Sequence, residues 1–475
     1  MYIAEECGAD GFARETEKKM AKNGWSASVR ALKSAREFLN SRAFYAFEVL
    51  LACFFVAIKQ EVIGAICFLA VISVILAVCD DIRATTLPFL IICTITTNRY
   101  NSYNLYIKYI IYAPAALMAL VFHFAVYHKS FSLGESAKGI FAVGIAVCFG
   151  GLGRFSLSDY AYGAYYFIGL GFGMLLVYAL MRSEFYDDKE TDREKLAYMM
   201  TVYSLLCGFM IANGYYKLYI EKSIENLYPQ GFSRNNLSTL LMFAMPFPLY
   251  LARKKPVCAL LSVMILAFLA LTQSRGGFLF GCIEFAVCAL FWIFSAQTQK
   301  GRRVRLLVCV GALAIGVCVM LPVLIKWILP RFGGEVKNET RYKMIWEAFD
   351  KFFKRPVSGY GLLDTDILYE TERKKGSLTW YHMMPAQIIG GMGLIGVACY
   401  GYQLFNRAKL VFSKPDSWGY VLGLSYLGVL LMSMVNPGEF CPLPFELMAV
   451  LLFIMQERRL ETARPLYKDK LRHGV

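Results

Sequence analysis

The composition of the chain is typical of a membrane protein. Of its 475 residues, 57% are apolar and 18% are charged, against about 45–50% and about 25% in soluble domains. This excess excludes a soluble enzyme with one anchor, a disordered scaffold and a disulfide-stapled secreted module, because most of each would have to contact water. The 50 Lys and Arg against 35 Asp and Glu give a net charge of +15. In a soluble domain such an excess would suggest a nucleic-acid partner. In a membrane protein the positions of the basic residues instead indicate which loops are cytoplasmic, so we expect no nucleic-acid partner.

Residues 1–42 form a polar N-terminal segment that precedes the first apolar run. Within it, residues 25–40 place apolar side chains such as Leu32 on one side and basic side chains such as Arg36 on another. This pattern predicts an amphipathic helix at the cytoplasmic surface of the membrane.

Fourteen apolar runs follow, each bounded by charged residues, Gly, Pro or Asn. The third is short, because 14 helical residues reach only about 21 Å of a hydrocarbon core that is about 30 Å thick. The runs cover roughly residues 43–58, 62–79, 84–97, 105–127, 138–153, 160–181, 196–216, 236–251, 257–272, 277–296, 304–329, 384–405, 418–435 and 441–455.

The distribution of basic residues favours fourteen crossings with both termini in the cytoplasm. This arrangement places 31 Lys and Arg inside and seven in the short outer loops. Omitting the third run would invert every later loop and place most basic residues outside, against the positive-inside rule. The predicted organisation is therefore an all-α polytopic protein. It has eleven helices over residues 43–329, a large, mostly helical external loop over 330–383, three helices over 384–456 and a cytoplasmic tail over 457–475.

The cysteines do not indicate a metal or redox site. Twelve of the 14 lie inside apolar runs, where Cys behaves as a small hydrophobic residue. No CxxC pair and no Cys/His ligand spacing is present in the sequence. We therefore expect neither a zinc nor an iron–sulfur site, and no cofactor.

The sequence TQSRGG joins the ninth and tenth runs at their predicted outer ends. Its Arg275 stands at a helix boundary, and Gly276 and Gly277 open the next helix. A guanidinium, a helix N-terminus and free backbone N–H groups all favour negative charge, so this turn is a candidate anion site. The alternative is an interfacial Arg beside a tight turn.

Further motifs accompany this turn in the second half of the chain. They are Gly231 to Asn236 before the eighth run, Arg341 to Phe349 and Arg355 to Gly361 in the external loop, Trp380 to His382 at its end, and Gly390 to Gly396 in the twelfth run. Together and in this order, they resemble the O-antigen ligase and O-antigen polymerase superfamily of bacterial membrane glycosyltransferases. The motifs carry the resemblance over residues 231–405. For the first seven helices it rests only on the predicted topology. The family positions fall on Asn236, Arg275, Arg341, Pro356, Gly359, Gly361 and His382.

The resemblance implies a fold of the C-type glycosyltransferase kind and a reaction at the outer face of the bacterial cytoplasmic membrane. In that reaction, a glycan carried on undecaprenyl diphosphate passes to a hydroxyl of a glycan or lipid-linked acceptor. Arg275 and Arg341 would bind the diphosphate, and His382 would accept the hydroxyl proton or bind phosphate. The sequence departs from the family pattern at Met383, which follows His382 at the position where the family usually has Asn.

Several other residues are secondary candidates or alternatives. Asn236, Gly276, Glu284 and Glu439 could belong to the same site: Glu284 follows Arg275 by nine residues, and Glu439 could pair with a basic residue nearby. The motif Asp364-Thr365-Asp366 resembles the metal-binding DxD of enzymes that use sugar nucleotides. Those donors are cytoplasmic and this loop is predicted to be external, so we expect a metal-independent enzyme.

A transporter, such as a flippase for polyprenyl-linked glycans, is the alternative function. Intramembrane charges could mark its ion path, and the candidates are Glu48, Glu284, Lys326 and Glu446. A transporter should also show internal repeats and charge pairs between its halves. The chain instead concentrates its Arg, His and Gly motifs at one predicted face and in one loop, which favours the enzyme.

Topology reporters test the fourteen-crossing arrangement. We expect a reporter fused after Lys337 or Glu372 to be external and one fused after Lys189 or Lys300 to be cytoplasmic, because of the distribution of basic residues. An alkaline phosphatase and green fluorescent protein pair would measure this in cells. An external location at residue 300 would contradict the arrangement.

Overall fold

The computed structural model describes residues 26–95, 113–127, 132–150, 168–184, 189–220, 234–323, 325, 339–362, 381–414 and 416–472. Every regular element in this part of the chain is a helix, and none of its residues forms a β-strand. The predicted all-α fold is therefore confirmed.

Seventeen α-helices are formed by the described residues. They are α1 Ser26–Leu39, α2 Arg42–Ala57, α3 Glu61–Val78, α4 Thr86–Ile95, α5 Ala113–Val126, α6 Ser136–Gly150, α7 Phe172–Glu184, α8 Glu190–Tyr219, α9 Arg234–Ala244, α10 Pro246–Leu251, α11 Ala259–Leu271, α12 Arg275–Phe294, α13 Gln299–Val323, α14 Glu339–Lys354, α15 Met384–Phe412, α16 Ser417–Ser433 and α17 Leu447–Arg472. Short 3₁₀ turns at Ile82–Thr85, Pro256–Cys258 and Gly438–Phe440 and a π-turn at Pro442–Glu446 join some of them.

Four described helices are long and apolar enough to cross a membrane. These spans lie in α3, α8, α12 and α15, and the bent pair α1 and α2 would form a fifth. The protein is thus a helical membrane protein, although the described spans are fewer than the predicted fourteen. Within the described residues, α4 has only 10 residues, and the eighth run is split between α9 and α10 at Pro246. Other predicted runs, such as 105–127 and 160–181, extend into residues outside the described part.

The polar groups at the helix ends gather at two opposite ends of the molecule. At one end, which we call the arginine face, Arg182 pairs with Glu457 at 2.8 Å and Arg459 with Asp416 at 3.0 Å. Helix α16 begins after Asp416 and runs for 17 residues, about 25 Å, toward Asn436. At this second end, the asparagine face, the Asn436 amide donates to the Asn236 side chain at 2.7 Å.

The largest apolar core lies between these faces. It is built by residues of α2 to α4, α8 to α13 and α15 to α17. Trp418, at the start of α16, packs against Tyr250 with ring centroids 4.8 Å apart and against Phe247 at 6.2 Å. This core holds α9, α12 and α16 side by side, so that their ends meet at the asparagine face.

Helix α15 is interrupted at Gly393, where φ is 59° and ψ is −150°. Backbone hydrogen bonds from the segment after α14 satisfy donors and acceptors of α15 on both sides of this break. Leu394 and Ile395 donate to the carbonyls of residues 356 and 357 at 2.8 and 3.1 Å. In return, Tyr360 and Gly361 donate to the carbonyls of residues 390 and 391 at 3.1 and 2.8 Å.

The glycines at this break are required by the backbone. Gly359 has φ +67°, and a Cβ on it would collide with the carbonyl of Gly391. A Cβ on Gly393 would lie 2.6 Å from the carbonyl oxygen of Pro356. The Arg355 to Gly361 motif and the glycines of α15 therefore form one structural unit, which fixes α14 against α15.

Replacing Gly393 with Ala should destabilise the protein. The conformation of Gly393 costs an L-residue about 1–3 kcal/mol, and the added methyl group also meets the Pro356 carbonyl. Gly401→Ala is the matched control, because it lies in the same helix with nothing within 4 Å of the added Cβ. Thermal unfolding in detergent should show a lower midpoint for Gly393→Ala alone. Equal midpoints for the two variants would contradict the assigned role of Gly393.

Candidate functional site

Arg275 is the first residue of α12, and its side chain is exposed at the asparagine face. Ser274 caps the helix: its Oγ accepts a hydrogen bond from the Gly277 N–H at 3.0 Å and donates one to Asn235 Oδ1 at 2.7 Å. The sequence analysis interpreted this turn as a helix N-terminus that carries an arginine, and the structure has that arrangement. The cap fixes the backbone on which Arg275 stands.

Gly276 is a close-packing position. A Cβ there would come 2.8 Å from Cγ2 of Val435, which follows α16. The N-terminus of α12 can therefore lie directly against the chain that leaves α16. The structure gives Gly276 this packing role, and its predicted role in the site remains a prediction.

Asn236 lies in the first turn of α9 and is half-buried. Its side-chain oxygen accepts the hydrogen bond from Asn436, while the neighbouring Asn235 binds Ser274. These two asparagines thus connect α9 to the start of α12 and to the end of α16. Asn235 belongs to the Gly231 to Asn236 motif, whereas Asn436 was not a candidate, because 200 residues separate it from Asn236.

His382 immediately precedes α15 and is half-buried. Its neighbour Tyr381 is buried, and the Tyr381 N–H donates to Gln387 Oε1 at 2.9 Å. The Gln387 amide in turn donates to the Leu362 carbonyl. This arrangement fixes the backbone on the N-terminal side of His382. Gln387 is a further residue that the sequence analysis missed, since a glutamine in an apolar run carries no motif.

Helix α14 packs across the start of α15. Ala348 lies against Gly390, where an added Cβ would be 3.1 Å from the Cα of Ala348. The Tyr381 hydroxyl approaches Glu347 Oε1 at 3.4 Å. Arg341 belongs to the first turn of α14, and it precedes Ala348 by seven residues, or about two turns. Its backbone is therefore on the side of α14 that faces α15, whereas its side chain lies outside the described part.

Some predicted features fall outside the described residues. They include Lys326, the Asp364-Thr365-Asp366 motif, residues 231–233 and most of the long loop around α14. Among the residues that the structure describes, no group of three or more His, Cys, Asp and Glu side chains is arranged to hold a metal ion. The expectation of a metal-independent enzyme therefore remains a prediction.

An apolar groove lies between α15 and α16 and opens near His382. Its volume is about 260 Å³. Met384 and Pro385 line it on one side, two residues beyond His382, and Met434 lines it on the other. Since Met434 precedes Val435, the groove also lies beside the turn that carries Arg275. Residues close in sequence to His382, and a residue next to the one that packs on Gly276, therefore line the same groove.

Glu439 lines the inner part of this groove and is buried. Its carboxylate forms an ion pair with Arg407 and accepts a hydrogen bond from the Tyr426 hydroxyl at 3.0 Å. Arg407 also pairs with Glu446 at 2.8 Å. The twelfth predicted run ends at residue 405, whereas α15 continues to Phe412 and buries Arg407 between two carboxylates.

Glu284 lies apart from the groove. It is fully buried in α12, and its carboxylate is packed against Gly428 of α16. Nine residues separate it from Arg275, which is about 13.5 Å along the helix axis. Within the described part of the chain, its carboxylate oxygens form no hydrogen bond. The structure thus places Glu284 in the core, and Glu48 is buried in α2.

These features define a helical membrane protein with a polar site at one end, formed around two helix N-termini and an apolar groove. Residues 260–401 match the family model described as O-antigen ligase. The match extends from α11 to the first half of α15 and includes Arg275, Arg341 and His382. This part of the chain is therefore similar to the O-antigen ligase family, and the resemblance predicted from the motifs is confirmed over these residues. No curated protein matches the chain.

Proposed function

We propose that this protein transfers a glycan from undecaprenyl diphosphate to an acceptor hydroxyl at the outer face of the cytoplasmic membrane. The enzyme would act as an O-antigen ligase or as a polymerase of a surface polysaccharide. The supporting observation is that Arg275 and His382 lie in the region that matches the O-antigen ligase family, near an apolar groove that Met384 and Met434 line. A lipid-linked donor needs an apolar surface for its chain beside cationic groups for its diphosphate.

The diphosphate would bind at the N-terminus of α12. Arg275 offers a planar guanidinium with several donors, which is suited to phosphate oxygens. The positive end of the helix dipole adds to this attraction. Arg341 would provide a second guanidinium from α14. The two arginines would supply the charge that a metal ion supplies in other transferases, so no metal is needed.

His382 would assist the acceptor. In the proposed step, the acceptor oxygen attacks the anomeric carbon of the donor sugar, and the bond from that carbon to the diphosphate oxygen breaks. The hydroxyl proton passes to an imidazole nitrogen of His382, while the leaving diphosphate gains negative charge near the arginines. Alternatively, the protonated imidazole would bind phosphate directly.

The proposed topology has about fourteen crossings, cytoplasmic termini and an external loop over residues 330–383. Its support is the separation of charges between the two faces. Arg182, Arg459 and their carboxylate partners lie at the arginine face, which the positive-inside rule assigns to the cytoplasm. The motifs around Arg275 and His382 lie at the opposite face, where lipid-linked glycans are used.

A transporter of polyprenyl-linked glycans remains the alternative function. The buried pairs of Arg407 with Glu439 and Glu446 favour it, since charges within membrane helices are often part of a transport path. Transfer of glycan in vesicles that hold donor and acceptor on the same side would support the enzyme. Donor translocation without transfer would support the transporter.

Arg275→Lys should be expressed normally and lose most of the transfer activity. Lysine keeps the charge but has no planar fork, and the loss of one donor to a developing anion commonly reduces a rate by about 10²–10³. The control is Arg303→Lys, an exposed arginine of α13. Transfer to acceptor should be measured in membranes with a radiolabelled lipid-linked donor. Full activity of Arg275→Ala would leave this arginine only a role in the turn.

His382→Ala should reduce the transfer rate by about 10²–10⁴ without loss of donor binding, if His382 is the base. Because an ordinary imidazole has a pKa of about 6.5, wild-type activity should then fall below about pH 6 as the ring is protonated. A cationic His382 that binds phosphate would give the opposite pH trend and weaker donor binding in the variant. Turnover and donor binding between pH 5.5 and 8.5 distinguish these cases. Unchanged turnover of His382→Ala over this range would remove the residue from the mechanism.

A further inference from the structure

Helix α14 carries four exposed aromatic residues on one side, which we call the aromatic stripe: Tyr342, Trp346, Phe349 and Phe353. Their spacing of four, three and four residues places them within an arc of about 60° at 100° per residue. Between 38% and 76% of each side chain is exposed. Tyr342 and Trp346 have ring centroids 5.9 Å apart, and Trp346 and Phe349 are 6.3 Å apart.

The other sides of α14 are occupied in different ways. Met344 and Ala348 are buried and form the side that packs toward α15. Charged residues lie between the stripe and this buried side, and among them Lys354 pairs with Asp350 at 2.6 Å. A helix with an aromatic side, a charged side and net basic ends is typical of helices that lie in a membrane interface.

The depth of α14 relative to α15 supports this placement. Ala348, in the middle of α14, lies against Gly390, which is six residues inside α15. Six helical residues correspond to about 9 Å along the axis. The middle of α14 therefore lies beside the first two turns of α15, a candidate membrane span, and not beyond the end of that helix.

Exposed apolar residues continue beyond the aromatic stripe to α15. Beyond Phe353, the exposed Val357 is bound through its carbonyl to the Ile395 N–H at 3.1 Å. Leu394 of α15 is exposed on the same stretch of the helix, and Val397, also exposed, lines the apolar groove. An apolar surface therefore extends from the loop helix onto the outside of a candidate span, where lipid is the expected neighbour.

We propose that α14 is an interfacial helix whose aromatic stripe is inserted among the lipids at the asparagine face of the protein. In the proposed topology this is the outer leaflet. This position of α14 would hold the backbone of Arg341 at the depth of lipid headgroups, where, on the proposed function, the diphosphate of a lipid-linked donor would lie. A glycan chain could also stack on aromatic rings, but the depth of α14 and the continuity with α15 favour lipid.

Quenching of tryptophan fluorescence by brominated lipids tests the proposal. The full-length protein is reconstituted into bilayers of phosphatidylethanolamine and phosphatidylglycerol that carry bromine either near the headgroups or deep in the acyl chains. The contribution of Trp346 is obtained as the difference between the wild type and Trp346→Phe, which keeps an aromatic ring. The matched control is Trp418→Phe, because Trp418 is buried in the core.

We expect the Trp346 contribution to be quenched by both lipids and more strongly by the shallow bromine, whereas that of Trp418 is quenched by neither. Absence of quenching for Trp346 would overturn the proposal. If Trp346 is not quenched but its signal changes when dextran fragments are added, the aromatic stripe contacts a glycan and the lipid proposal is overturned. The measurement requires neither donor nor acceptor, so its failure is distinguishable from failure of the proposed transferase activity.

Discussion

The interruption of α15 at Gly393 is the feature on which the candidate site depends. A break inside a membrane helix exposes backbone donors and acceptors that cannot be satisfied by lipid. Here the segment after α14 provides the missing partners through four backbone hydrogen bonds. The same bonds place α14 over the first turns of α15 and so set the surroundings of His382. Only a residue without a side chain fits at Gly359 and Gly393, which explains why this motif is rich in glycine.

A second constraint is the burial of Arg407 inside α15. A guanidinium in a membrane interior is costly unless carboxylates and hydroxyls compensate it, and removal of one partner from such a group commonly costs about 3–5 kcal/mol. Glu439, Glu446 and Tyr426 supply that compensation. Because Glu439 follows α16 and Glu446 precedes α17, this network joins three helices below the apolar groove. Its most evident role is to hold the walls of the groove in place.

The asparagine face combines contributions from distant parts of the chain. Asn235 and Asn236 start α9, Ser274 caps α12, and Asn436 follows α16. Neutral amides and hydroxyls make these contacts around the turn that carries Arg275. A site with a neutral scaffold and an exposed cation is well suited to an anionic ligand at a membrane surface.

The sequence by itself determined that this is a helical membrane protein, and its motifs pointed to the family that residues 260–401 match. Composition and periodicity suffice for the first conclusion, because lipid requires apolar helices with internally paired backbones. Local motifs also predicted the helix N-terminus at Arg275, since Ser and Gly have strong positional preferences there. Only the tertiary structure decided that α15 is broken, that Arg407 is buried, that Glu284 lies away from the groove and that Asn236 meets Asn436. Each of these depends on contacts between residues far apart in sequence, whereas apolar patterning reports the distance of a segment from water and not its neighbours.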